Sequence, residues 1–255
     1  MKNMTVKNIY ENQKVVSLFE KILMENNITL SHNNHILDFG CGSGHHVYEY
    51  LDSGYQNVFG FDTKNYVSLR EPPDISHFRF NETGDLISLP FPDNYFDFVY
   101  SNQVFEHVID KKKSFEEIYR VLKPGGVAIH IFPSKWRPIE PHIFVPFGGA
   151  INFYLYYLFF ATIGIRNSFQ KELSPQDTAK ANFNYARAGL KYLDGRQIEN
   201  MLLNIFDYTF FQEDYLIKYS TGRSSYLYPL IQIFPPLLGL YRFAHTKVVF
   251  CGKNF

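Results

Sequence analysis

Two rhythms of apolar and polar positions alternate along this chain, and the switches between them mark out a repeating order of helix and strand. Residues 6–28 carry Val15, Val16, Leu18, Phe19, Ile22 and Leu23 at helical spacing, which predicts a helical segment within residues 1–30. Asn26, Asn27 and the polar run from Ser31 to Asn34 break it, and the short apolar run 35–39 reads as a first strand. A helix over 44–51, a strand over 57–62, a short strand over 77–80 and a strand over 94–100 follow. The helical pattern over 114–122 stops at Lys123-Pro124-Gly125-Gly126, because neither proline nor paired glycines continue a helix, and 127–132 reads as a fifth strand. Strand and helix in alternation predict an α/β fold: a doubly wound, Rossmann-like, mostly parallel sheet.

Length and composition narrow this picture little further. A chain of 255 residues with 45% hydrophobic residues is large for one domain and small for two, so a single domain with an insertion is expected. A formal charge of zero without a basic block gives no reason to expect a nucleic-acid partner. Cys41 and Cys251 form neither a disulfide framework nor a zinc spacing, and the first residues lack an apolar signal core, so a cytoplasmic setting is expected.

The candidate chemistry begins at Asp38-Phe39-Gly40-Cys41-Gly42-Ser43-Gly44, where the first strand runs into alternate glycines before a helix. Glycine suits a turn whose backbone must take unusual torsions and lie against a ligand. The spacing is G-x-G-x-G, not the dinucleotide fingerprint G-x-G-x-x-G, which favours a nucleoside without a pyrophosphate. Asp62 ends the second strand about 20 residues on, where an acid reaches two ribose hydroxyls. Asp85 and Leu86 lie in a turn before the next strand, and Asp85 there is either a ligand contact or a turn former.

With Leu89-Pro90-Phe91-Pro92-Asp93-Asn94-Tyr95-Phe96-Asp97 and Leu122-Lys123-Pro124-Gly125-Gly126 in this order after the glycine turn, the stretch from about His35 to Pro133 resembles the class I S-adenosylmethionine-dependent methyltransferases. The likeness is to the type 11 branch with its ubiquinone-biosynthesis-like members. The resemblance implies a seven-stranded sheet with an antiparallel last strand, residues 207–218 forming the sixth strand and 246–253 the seventh. It also implies S-adenosyl-L-methionine as cofactor, cradled by Asp38, Gly40, Gly42 and Gly44, with Asp62 on the ribose, Asp85 and Leu86 at the adenine edge, and Asn102 beside them.

Methyl transfer needs alignment above all, and a hydroxyl acceptor also needs a base. His107, after the fourth strand, and His142, in Glu140-Pro141-His142, are the candidate catalytic residues, with Glu106 a further candidate base and a plain surface or supporting role as the alternative for all three. The histidines show no metal-ligand spacing, so no metal is expected. Residues 134–190 match no pattern and read as an insertion or lid, and 143–165 within it are uncharged and strongly aromatic. Strands on both sides of the insertion must join one sheet, which argues against a membrane span there. Four readings stay open for 143–165: a lid over the acceptor, a homodimer face, a helix lying in the inner face of a membrane, or a helix buried against the chain's own uncharged run 224–241. The expected activity is methyl transfer to oxygen on a small-molecule, glycan or lipid-linked acceptor. A non-catalytic S-adenosyl-ligand-binding or scaffolding module and, third, an NAD-dependent oxidoreductase are the alternatives.

Overall fold

The computed structural model describes residues 15–65, 75–81, 88–192 and 194–255. Seven strands form one sheet in the order β3-β2-β1-β4-β5-β7-β6. They are β1 His35–Phe39, β2 Asn57–Asp62, β3 Phe78–Phe80, β4 Phe96–Asn102, β5 Leu122–Pro133, β6 Tyr208–Phe211 and β7 Thr246–Gly252. The first five run parallel, while β7 lies antiparallel to both β5 and β6, as the resemblance implies. The chain reverses its direction of travel across the sheet between β1 and β4, and in open α/β sheets the crevice outside the carboxyl ends at such a point is where ligands bind.

Alternating side chains feed two cores. Ile36 packs with Phe19, Ile22, Val47 and Ile129 on one face, and the next residue, Leu37, packs with Phe115, Ile118 and Leu202 on the other. The first face is covered by α1 Val15–Glu25 and α2 His45–Asp52, the second by α3 Lys111–Val121 and α6 Gly195–Leu203.

Several boundaries differ from the expected ones, and for physical reasons. Ser101 and Asn102 belong to β4, because each keeps a partner on β5 (His130 and Ile131). The Lys123 to Gly126 stretch is a bulge within β5, not a separate turn, and Gly125 takes φ 79° there. Most of 207–218 is not strand. After Phe211 the chain turns into α7 Glu213–Tyr219, whose first-turn Glu213 is fully buried and paired with Arg242 at 2.8 Å.

Among the described residues, the aromatic stretch 143–165 finds its main packing partner inside the insertion and not in the run 224–241. The insertion's helices α4 Tyr154–Thr162 and α5 Pro175–Ala188 lie on each other and close a third core of their own from Ile143, Val145, Tyr157, Ala161, Ala179, Ala186 and Leu190. The later run forms α8 Tyr228–Ile233 and α9 Pro236–Ala244, which pack on α7 and β7. Among the described residues no helix is long and apolar enough to cross a membrane.

Gly44 has a quantifiable structural role. It caps α2 at φ 77°, and a Cβ there would stand 2.5 Å from the Phe78 ring. The left-handed torsion alone costs an L-residue about 1–2 kcal/mol, so Gly44→Ala should lower stability by at least that amount in urea unfolding.

Candidate active site

The glycine turn is pinned onto the end of β2 by its own backbone. The N–H groups of Gly40 and Cys41 donate to the Phe61 carbonyl at 2.8 and 3.0 Å, and Gly44 N–H donates to the Cys41 carbonyl at 2.8 Å. Gly40, Gly42 and Gly44 all have positive φ, at 82°, 52° and 77°. They face different surroundings. A side chain at Gly40 would collide with Val104 and one at Gly44 with Phe78, while one at Gly42 would meet no atom of the described residues within 4 Å. Gly42 therefore borders open space, the place for a ligand that needs bare backbone.

Two carboxylates converge on this turn. Asp62 accepts the Gly42 N–H on Oδ2 at 2.8 Å and the Thr63 N–H on Oδ1 at 2.7 Å, so it holds the turn while its remaining lone pairs stay available. Asp38, on β1, is buried and its Oδ2 has no hydrogen-bond partner among the described residues. Burial pushes its carboxyl up to about 8, and the charge of Asp62 adds to the rise. Among the described residues the nearest basic side chain is His46, whose Nδ1 lies 3.8 Å away and which burial depresses to about 4, so it offers no positive charge at neutral pH. A buried carboxyl with one oxygen unpartnered among the described residues, beside the Gly42 backbone, fits a ligand that brings its own cation, as the S-adenosylmethionine expected here does. Asn102 ends β4 in the same crevice, and Asp85 and Leu86 lie outside the described residues.

A second cluster stands at the carboxyl ends of β4 and β5. The chain leaves β4 through Gln103 at φ 58°, and the Val104 side chain lies against Gly40, so the segment carrying Glu106 and His107 abuts the glycine turn. Beyond β5, the bridge between Ile139 and Pro146 closes a loop that carries Glu140 and His142, with Phe144 and Phe147 at φ 60° and 48°. Non-glycine residues held at positive φ gather where surrounding structure over-determines the backbone, commonly at functional sites.

This loop brings the two candidate histidines together, with ring centroids 5.1 Å apart. His142 Nδ1 donates to Glu140 Oε1 at 2.7 Å, and Glu140 is fixed by the backbone N–H groups of His142 and Ile143 at 2.7 and 2.9 Å and by the Tyr192 hydroxyl at 3.3 Å. His107 Nδ1 donates to the Gly189 carbonyl at 2.8 Å, and Lys191 N–H donates to the Glu106 carbonyl at 2.7 Å, so the end of the insertion is strapped to the end of β4. In both imidazoles the acceptor on Nδ1 leaves the Nε2 lone pair free.

The local field separates the two rings. Burial lowers His107, helped by His142, whereas in His142 the hydrogen bond and charge of Glu140 outweigh burial and hold the ring above its ordinary value. Neighbouring groups pushed apart in this way are the usual arrangement of an acid–base site. Glu106, beside them, is buried with neither carboxylate oxygen hydrogen-bonded among the described residues, and burial raises it to about 7. Sequence reasoning passed over Glu140; its place two residues before His142 was the available signal. Tyr192, which reaches Glu140 from fifty-two residues away, left none.

Tyr192 is also a wall of an open cleft of about 460 Å³ lined by Lys135, Trp136, Asn152, Arg187 and Lys191, with no acidic residue among its lining.

Residues 37–130 match a family model described as a methyltransferase domain. Sterol 24-C-methyltransferase of Aspergillus fumigatus is 38% identical over 97 residues, 36% of this chain and 26% of that protein. Phosphoethanolamine N-methyltransferase 2 of Caenorhabditis elegans is 34% identical over 97 residues, 36% of this chain and 22% of that protein. The match thus spans about a quarter of these curated relatives' length. Among solved structures, an S-adenosylmethionine-dependent methyltransferase from Mesorhizobium loti shares the fold at TM-score 0.52 and 17% identity, covering 94% of this chain and 98% of that one.

Proposed function

From a chain whose core is a class I S-adenosylmethionine-dependent methyltransferase domain, we propose an enzyme that moves the cofactor's methyl group to an oxygen of a small-molecule, glycan or lipid-linked acceptor. When bound, the cofactor supplies a methyl carbon on a sulfonium with a good leaving group. The protein's tasks are then to hold, to align and to take a proton. Backbone at Gly40 to Gly44 and the Asp38 carboxylate would hold the amino-acid end, and Asp62 the ribose. His142, oriented and made more basic by Glu140, would remove the acceptor's proton through Nε2. The observation that carries this reading is the Glu140–His142 hydrogen bond at the carboxyl ends of β4 and β5, on the same sheet edge as the glycine turn. The curated relatives are named for carbon and nitrogen acceptors, so the oxygen target rests on that base alone.

The cleft at Tyr192 supports an acceptor with a negative group. Lys135, Arg187 and Lys191 line it without an acid among them, and its volume suits a small molecule or a headgroup. Lys191→Ala is expected to raise the acceptor KM about tenfold at nearly constant kcat, the size of one charged hydrogen bond at a wet site. Leu155 and Phe159 on α4 and Ile163 at its end stand 58%, 59% and 58% exposed, which supports contact with the lipid that carries the acceptor. Flotation with anionic liposomes tests this: Leu155→Asp/Phe159→Asp should abolish it, while a concentration-dependent dimer would assign the face to a second copy.

Asp38 makes a pH prediction. Its carboxyl, raised to about 8, is mostly protonated at pH 7 in the free protein, and stability falls as pH rises from the ordinary carboxylate range toward that value, because the unfolded chain gives up this proton first. The α-ammonium group of S-adenosylhomocysteine favours the ionised form, so its binding should release up to about one proton near pH 7. Calorimetry in two buffers of different ionisation enthalpy measures the release, and Asp38→Asn should remove it.

Incubation with cofactor labelled at the methyl group and with lipid and glycan extracts tests the activity itself. Label in an acceptor that is released by ester or ether chemistry supports oxygen transfer. Bound cofactor with no label transferred favours the non-catalytic module.

A further inference from the structure

We propose that Glu106, His107 and His142 form a binding site for one divalent first-row transition cation, with Zn²⁺ as its natural type. One ligand atom from each residue lies within 4.8 Å of the others. A cation at their centre would stand within about 2.8 Å of each, against bonds of roughly 2.0–2.2 Å to imidazole nitrogen and carboxylate oxygen, so a side-chain adjustment smaller than one bond length closes the site.

Three independent features point to a cation. Glu106 is 1% exposed, and neither oxygen has a hydrogen-bond partner among the described residues, an expensive state for a carboxylate unless something positive completes it. Both histidines donate Nδ1–H to an oxygen acceptor, Glu140 Oε1 at 2.7 Å and the Gly189 carbonyl at 2.8 Å, the outer contacts that fix the tautomer and aim the Nε2 lone pair in metal-bound histidine. The charges facing the cluster are the carboxylates Glu106 and Glu140 against the guanidinium of Arg137 and the ammonium of Lys111, whose Nζ is taken up by the Val108 carbonyl at 2.6 Å. Two histidines and one carboxylate leave coordination positions open, as in catalytic sites, and a His107 ring that is partly solvent-exposed gives a path for entry.

The residues lie far apart in sequence except for the adjacent Glu106 and His107, which is why no ligand spacing is visible. The same Nε2 lone pair cannot serve a cation and a proton at once. The chelated chain therefore has His142 as its base, whereas in the loaded chain the cation would acidify a hydroxyl bound to it, whose proton would pass to solvent water.

Titration of chelator-treated protein with Co²⁺ tests the site without any need for activity. One Co²⁺ per chain with visible d–d bands, displaced by Zn²⁺, is expected. His107→Ala/His142→Ala should abolish the bands, Glu106→Gln should weaken binding, and Glu140→Gln should weaken it about ten- to hundredfold through the outer contact alone. Binding of S-adenosylhomocysteine to the same samples reports folding; if the double variant loses it, the volume-conserving Glu106→Gln carries the comparison. Wild-type protein that binds S-adenosylhomocysteine yet binds Co²⁺ no better than these variants overturns the inference and leaves the methyltransferase reading standing. Co²⁺ binding without S-adenosylhomocysteine binding supports the site and counts against that reading instead.

Discussion

Replacement of His142 by alanine in chelator-treated protein is expected to lower kcat for the acceptor found in the labelling screen by about two to four orders of magnitude, the usual worth of a positioned base. S-adenosylhomocysteine affinity should change little, because His142 sits on the acceptor side. The pH profile separates a base from a packing residue. His142 must be neutral to accept a proton, so kcat should rise with pH through the His142 pKa, which Glu140 holds above the ordinary imidazole value. Glu140→Gln removes the carboxylate while keeping its shape, so this limb should move to lower pH. A uniform loss of rate with an unmoved limb would reduce Glu140 to a structural role. His107, already lowered by burial, should shift the profile little when changed to asparagine.

Asp62→Ala is expected to weaken cofactor binding by about 1.5–3 kcal/mol, roughly ten- to 150-fold, the worth of hydrogen bonds to a charged group. Its role is double. Oδ2 accepts the Gly42 N–H at 2.8 Å, so alanine removes both the acid at the strand end and the clamp on the glycine turn. Asp62→Asn keeps one carbonyl acceptor and should fall between wild type and alanine. Calorimetric titration with S-adenosylhomocysteine measures both; unchanged affinity in Asp62→Ala would remove this residue from the site.

How far the residues themselves announced this arrangement varies along the chain. Strands β1 and β2 fall on the expected limits because short β-prone runs between turn-forming residues leave few alternatives. Asp62 was legible for the same reason: a glycine turn and an acid at the next strand end are local features. The end of β6 was not, since Glu213 looks like a surface acid until Arg242, 29 residues later, takes it into the core. The insertion's packing was hidden likewise, because an aromatic run does not say which apolar surface it meets, and α4 found α5. At the acceptor side both histidines could be named, but not their meeting. His107 and His142 become neighbours only through the loop after β5 and the strap from Gly189 and Lys191 to the end of β4.

The methyl-transfer reading depends on the crevice at Asp38, Gly42 and Asp62 accepting an S-adenosyl ligand. Calorimetric titration of the purified chain with S-adenosylhomocysteine, alongside NAD, tests that directly. One site for S-adenosylhomocysteine, lost or weakened in Asp62→Ala, with no heat from NAD, is the expected result. Binding of NAD with none of the S-adenosyl ligand would contradict it.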